Sequence, residues 1–278
     1  MITVGLQFPW FLPMLSPKNS LYWTSVMKTI QRSIVGLFAA SLATIFVSTT
    51  DAAPYHRGDV KLQSIGPLAT GPDGVLFISD PKAACIIAIK TAAKPTDNPS
   101  GNFKVEGLNA KVAAVLGASV DQVRIIDLAV DTSSQLAYLS VIRGQGANAN
   151  AAVVSVRPSG KIHVLSLKNV QHAVAKLSNA PADQETGTGR RRRNQRMESI
   201  TDIAFVNGKV IVAGLSNEEF SSTLRTIPFP FEGSQKGTGV RIFHGAHGRY
   251  ETSSPVRTFV SYDIAGDPYI LAAYTCTP

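Results

Sequence analysis

Four stretches of this chain share one pattern: an apolar run, a turn containing Gly, Asn, Asp or Ser, and a second apolar run. They are IGPLATGPDGVLFISD (65–80), IIDLAVDTSSQLAYLSV (125–141), SITDIAFVNGKVIVAGL (199–215) and SPVRTFVSYDIAGDPYILAAY (254–274). Short apolar runs flanking turn residues are the pattern of β-hairpins, and self-similarity at long period narrows the fold to an array of repeated units. The turn markers Gly74, Ser134, Gly208 and Gly266 are 60, 74 and 58 residues apart. That is more than one four-stranded unit needs, so the surplus lies in insertions. Further apolar runs follow the first three hairpins: CIIAIKT (85–91), AAVVSVRPSGKIHVLSL (151–167), and STLRTIPF (222–229) with GVRIFHG (239–245). Four antiparallel strands per unit describe a propeller blade. The expected fold is an all-β propeller of about four visible blade-like units, the last incomplete. A chain of 278 residues, 44% hydrophobic and 17% charged, can bury such a core.

Two insertions read as short helices. NAKVAAVLG (109–117) places Val112, Val115 and Leu116 at helical spacing, and LKNVQHAVAKLSNAP (167–181) does so with Val170, Ala173, Val174 and Leu177; Gly117 and Pro181 act as stops. The stretch APADQETGTGRRRRNQRM (180–197) is poor in apolar residues and reads as a mobile loop.

The first unit resembles a blade of the NHL or gluconolactonase-like kind in Pro67, in the GPDGVLF turn with Asp73-Gly74, and in a strand that ends on Asp80. The other units lack the proline and the terminal aspartate. Residues 54–278 as a whole resemble exported bacterial propeller proteins whose activity is unassigned. This resemblance implies a propeller fold and allows two functions, since such blades serve binding proteins and enzymes alike.

Export has its own signal in the sequence. Lys28 and Arg32 precede the fourteen-residue apolar run IVGLFAASLATIFV (34–47), which the small residues of STTDAAPY follow. This is the layout of a secretory signal peptide over 27–52, with cleavage after Ala52. The run is too short for a membrane-spanning helix, which needs about 20 apolar residues, so no integral span is expected after cleavage. Residues 1–26 precede the better start at Met27 and read as a non-native extension. The domain is then 53–278, periplasmic or extracellular.

The formal charge of +8 falls to +6 after cleavage, with 24 basic and 18 acidic residues. Five of the basic residues are Arg190 to Arg193 and Arg196. No aromatic residue interrupts that run to stack bases, so no specific nucleic-acid partner is expected. Two cysteines, Cys85 and Cys276, are too few for a disulfide framework.

Blade geometry predicts which polar groups share a face. Aligned first-strand starts carry Pro67, Asp127, Asp202 and Arg257. Second-strand ends add Asp80, Arg143, Asn217, Glu218, Glu219 and Tyr274, and the stretch HGAHGRYET adds His244, His247 and Glu251. The candidate ligand-binding set is Asp127, Asp202, Arg257, Asn217, Glu218 and Glu219. Aspartates in such places also serve simply as acceptors for backbone N–H groups of the neighbouring blade. His244 and His247 are three apart among glycines, unlike the i, i+4 helical histidines of zinc proteases. No G-x-S-x-G elbow is present. Glu218 or Glu219 can serve as a general base or as the ionic partner of Arg225.

Two functions remain open. One is a binding protein for a protein, glycan or small-molecule ligand. The other, implied by the lactonase resemblance, is a hydrolase with one divalent cation such as calcium held by Asp127, Asp202, Asn217 and Glu219. The fourth unit supplies only a hairpin, which leaves Ile270, Leu271 and Tyr274 without an evident neighbour. The sequence therefore reads as the C-terminally truncated front of a longer product, prone to aggregate or oligomerise.

Overall fold

The structure is a computed structural model that describes residues 55–94, 104–189, 192–217, 221–231, 238–239, 243–244, 248–250 and 254–274. The expected extension 1–26, the signal peptide, Arg190, Arg191, Glu218, Glu219, His247, Glu251 and Cys276 lie outside those residues.

The described chain begins with β1 (His56–Gly58), β2 (Leu68–Thr70), β3 (Val75–Asp80) and β4 (Cys85–Lys90). Helix α1 (Leu108–Leu116) then leads into β5 (Val123–Asp131), β6 (Leu136–Arg143), β7 (Asn150–Val156) and β8 (Ile162–Val164), a four-stranded sheet paired in that order. Next, β9 (Val170–Lys176) returns to the earlier sheet and pairs antiparallel with β4, Ala88 opposite Ala173. The first sheet is thus ordered β1-β9-β4-β3-β2, and the whole second sheet is inserted between two of its strands. A ribbon of β10 (Glu185–Thr186) and β11 (Arg193–Asn194) precedes the third sheet, β12 (Asp202–Val206), β13 (Lys209–Leu215), β14 (Ser222–Pro228) and β15 (Thr238–Gly239). A second ribbon, β16 (Phe243–His244) with β17 (Arg249–Tyr250), leads to the two-stranded fourth sheet, β18 (Val256–Ile264) and β19 (Asp267–Tyr274).

The hairpins form where the turn chemistry asks for them. Val206 pairs with Lys209 across Asn207-Gly208, both at positive φ (49° and 75°), the two-residue turn whose twist matches that of the strands. The fourth sheet repeats this with Ala265-Gly266 at φ 54° and 93°, an alanine in a conformation that costs any residue with a Cβ.

The sheets stack in the order second, first, third, fourth, with inner strands β5, β2, β12 and β18 side by side. One face of the first sheet presents Val75, Phe77, Ile86 and Ala88 to Ile203, Val212, Ile227 and Phe231 of the third-sheet segment. Phe77 stacks on Phe205 at 5.4 Å and meets Phe229 edge-on at 4.9 Å. Its other face presents Leu68, Leu76, Ile78 and Ile87 to Ala129, Leu136, Tyr138 and Val153 of the second sheet. Covered on both sides, β3 is buried along its whole length, and each such Ile, Leu or Phe contributes about 1.5–3 kcal/mol through burial. Val112 of α1 covers part of the far face of the second sheet. Val256 and Phe259 pack against Ala213 of the third.

Several expectations change. The segment 167–181 is not a helical cap: strand β9 occupies Val170–Lys176. Ala173, Ala175 and Leu177 are buried at period two while Val174 is exposed, because the edge of β4 offers hydrogen bonds and a core that outweigh a weak helical pattern. The other insert is helical as read, but Val112 and Ala113 face inward and Val115 outward. Within 180–197 the described residues include a short ribbon, Glu185 opposite Asn194 and Thr186 opposite Arg193, with an ion pair between Arg192 and Glu185 and Asn194 donating to Asp183 at 2.7 Å. Ile270 and Tyr274 do have neighbours, packing against the third sheet. The units do not succeed one another around a ring, and among the described residues the stack of antiparallel sheets is not closed.

Candidate functional site

The four inner strands begin on one side of the stack, and two aspartates join them there. In β5 the register shifts between Ile125 and Asp127, and the Asp127 carboxylate accepts the Leu68 N–H of β2 at 2.7 Å. It also accepts the N–H of its own successor, Leu128. Asp202, the first residue of β12, repeats the arrangement. Its Oδ1 accepts the Ile203 N–H at 2.8 Å, and its Oδ2 accepts the Phe259 N–H of β18 at 2.9 Å. Thr258 Oγ1 adds a further bond to Oδ2 at 2.7 Å. Asp202 thus opens its strand, whereas Asp127 lies within β5 at the register shift, and each clasps the next inner strand in the stack.

The electrostatics follow from this placement. Burial pushes the Asp127 carboxyl above its usual range, the N–H groups of Leu68 and Leu128 partly offset that, and the nearby charge of Asp202 adds to it. Strand β2 lies between β5 and β12, so the strand that Asp127 clasps is flanked by the strand that Asp202 opens. Arg257 lies beside Thr258 and donates from Nη2 to Glu198 Oε1 at 2.7 Å, with side chains 42% and 20% exposed. This pair ties the start of β18 to the turn that follows β11.

The strands that return to this side bring the other expected groups. Asp80, at the end of β3, is 1% exposed and accepts from Gln63 N (2.7 Å), Ser64 N (3.0 Å), Ser64 Oγ (2.7 Å) and Ala83 N (3.1 Å); it orders the loops around it. Arg143 at the end of β6 donates to the Gly117 carbonyl at 3.2 Å. Asn217 lies beyond β13 with its side chain exposed, and its backbone N–H donates to Asn179 O at 2.6 Å.

Asp127, Asp202 and Arg257 are thus brought to one side, with Asn217 on the return path after β13. Among the described residues no group of three or more His, Cys, Asp and Glu side chains is gathered for a metal ion. Glu198 and Thr258 are the contributors that sequence reasoning missed. Glu198 lies 59 positions from Arg257 and carries no local signal. Thr258 sits one residue past the aligned strand start and was within reach of the alignment. Cys85 is buried, and burial with the Asp80 charge pushes its thiol up to about 12, which leaves it inert as a nucleophile. No described helix is long and apolar enough to cross a membrane.

No protein-family model matches the sequence, and no curated protein does. Among solved structures the chain is similar to a luciferin-regenerating enzyme at 8% identity, over 74% of this chain and 87% of that one, with a TM-score of 0.29. It is also similar to the PQQ-bound aldose sugar dehydrogenase from Streptomyces coelicolor at 12% identity, over 79% and 98% of the two chains, with a TM-score of 0.20. Superpositions this loose assign neither a residue role nor an activity.

Proposed function

We propose that residues 53–278 form an exported, propeller-type binding protein that recognises a protein, glycan or small ligand on the face where the inner strands begin. One observation carries this reading: four separate sheets converge there, bringing Asp127, Asp202 and the ion pair of exposed Arg257 with half-buried Glu198 to one side. Convergent polar groups at the meeting of several elements are the usual setting of a binding site. The acceptor oxygens of both aspartates already hold backbone N–H groups, so in this reading they shape the face. Arg257, Glu198 and Asn217 are the groups that read the ligand.

The test compares the wild type with Arg257→Glu and Asn217→Asp on a glycan array and in a small-molecule thermal-shift screen. Ligands held by the wild type and lost in the variants, at unchanged melting temperature, support the reading. Ligands that bind all three proteins equally place the site elsewhere. Stabilisation by calcium together with lactone hydrolysis would favour the metal-dependent hydrolase instead.

A further inference from the structure

Two histidines stand opposite one another where the chain first enters the fold. His56 of β1 pairs with His172 of β9 across the antiparallel ladder, and their rings meet edge to face with centroids 4.0 Å apart. His172 is 6% exposed, and its Nδ1 lies 3.1 Å from the Val170 carbonyl oxygen. A carbonyl only accepts, so Nδ1 carries the proton and donates it there, and the lone pair stays on Nε2. Histidine metal ligands are typically anchored this way, one ring nitrogen on a backbone carbonyl and the other on the ion. His56 is exposed, so its ring can turn to present a second nitrogen. The neighbouring charges are otherwise engaged: Arg57 donates to the Asn169 carbonyl at 3.0 Å, and Asp59 accepts the Asn169 N–H at 2.8 Å.

We propose that His56 and His172 form a two-imidazole site for a first-row divalent transition ion, with water completing its shell. Neutral imidazoles suit zinc and nickel, whereas calcium demands oxygen ligands. The ion bridges two strands, so its effect is to clasp β1 to β9. Strand β1 has three residues and is held by few bonds, which makes it the element that gains most from a cross-link.

The experiment titrates Ni²⁺ and Zn²⁺ separately into tag-free protein expressed from the full chain, using calorimetry and amide hydrogen exchange over residues 55–60. One ion per chain is expected. At a free ion concentration 100 times Kd, local opening of β1 should be suppressed about 100-fold. His56→Ala, a change at an exposed side chain, should abolish both effects, whereas a His244→Ala/His247→Ala variant should keep them. Absence of binding at millimolar ion overturns the proposal. So does binding that survives His56→Ala, that fails only in the His244/His247 variant, or that leaves exchange over 55–60 unchanged.

Discussion

Asp202 accepts an N–H from its own strand and another from β18, so removing its carboxylate strands two donors in a partly buried seam. Asp202→Ala should cost about 1–3 kcal/mol, seen in chemical denaturation, with the Phe259 amide losing hydrogen-exchange protection first. Asp202→Asn keeps one acceptor oxygen and should lose less. Gly214 is fixed by close approach: a Cβ there would collide with the Ser199 carbonyl. Ala265 is the reverse case, with a φ of 54° at a turn position that suits Asn or Gly. Ala265→Asn should raise stability by about 1 kcal/mol, read as a higher denaturation midpoint at constant slope. Asp131 sets a pH dependence. Burial raises its pKa, but hydrogen bonds from Ser134 and Ser133 outweigh that and hold it below the usual range. Its stabilisation is therefore complete above the unfolded value of about 3.9 and is lost as pH falls through the lower folded value. Asp127, shifted upward, acts oppositely: its contribution is present at low pH and lost as pH rises through its folded value. The stability gap between wild type and Asp131→Asn should therefore be widest near neutrality and close in strong acid.

Strand β9 is the element on which local and tertiary preferences disagree. As a strand it buries Ala175 and exposes Val174; as the helix its spacing predicts, it would bury Val174. Ala175→Leu should overpack the core and cost about 1–3 kcal/mol, whereas Val174→Lys should stay within about 0.5 kcal/mol. Thermal denaturation of the two variants separates these outcomes. The same contrast explains what was legible in the sequence. The hairpins were, because Asp73-Gly74, Asn207-Gly208 and the DTSS turn at Asp131 write their instructions within a few residues. Helix α1 was, because Gly117 marks its end. The partnership of β9 with β4 was not, since Ala173 meets Ala88 across an inserted sheet. At the site, Asp127 and Asp202 could be aligned because they occupy the same place in two repeats. Their hydrogen bonds to Leu68 and Phe259 depend on the stacking order, which no local pattern encodes.

Across the whole molecule, apolar surface remains at both ends of the stack. Leu128 and Val130 are exposed on the second sheet, and Val260, Tyr262, Ile264 and Leu271 on the fourth. Val260 and Leu271 are cross-strand partners, so together with the stacked Tyr262 and Tyr269 they make a continuous patch that favours self-association. Val260→Lys with Leu271→Lys should lower the concentration dependence of light scattering and leave the melting temperature within a few degrees, as expected of exposed positions. The inserted second sheet also governs timing. A ribosome releases the chain from its N-terminus at about 5–20 residues per second. Strands β2 to β4 emerge early, yet they wait for β9 while the complete β5–β8 meander is synthesised and can pair within itself. The sheet at the centre of the core is therefore begun first and finished after its inserted neighbour. During that interval the bare edge of β4, with Ile86, Ile87 and Ile89, is the strand for which a nascent-chain chaperone would compete.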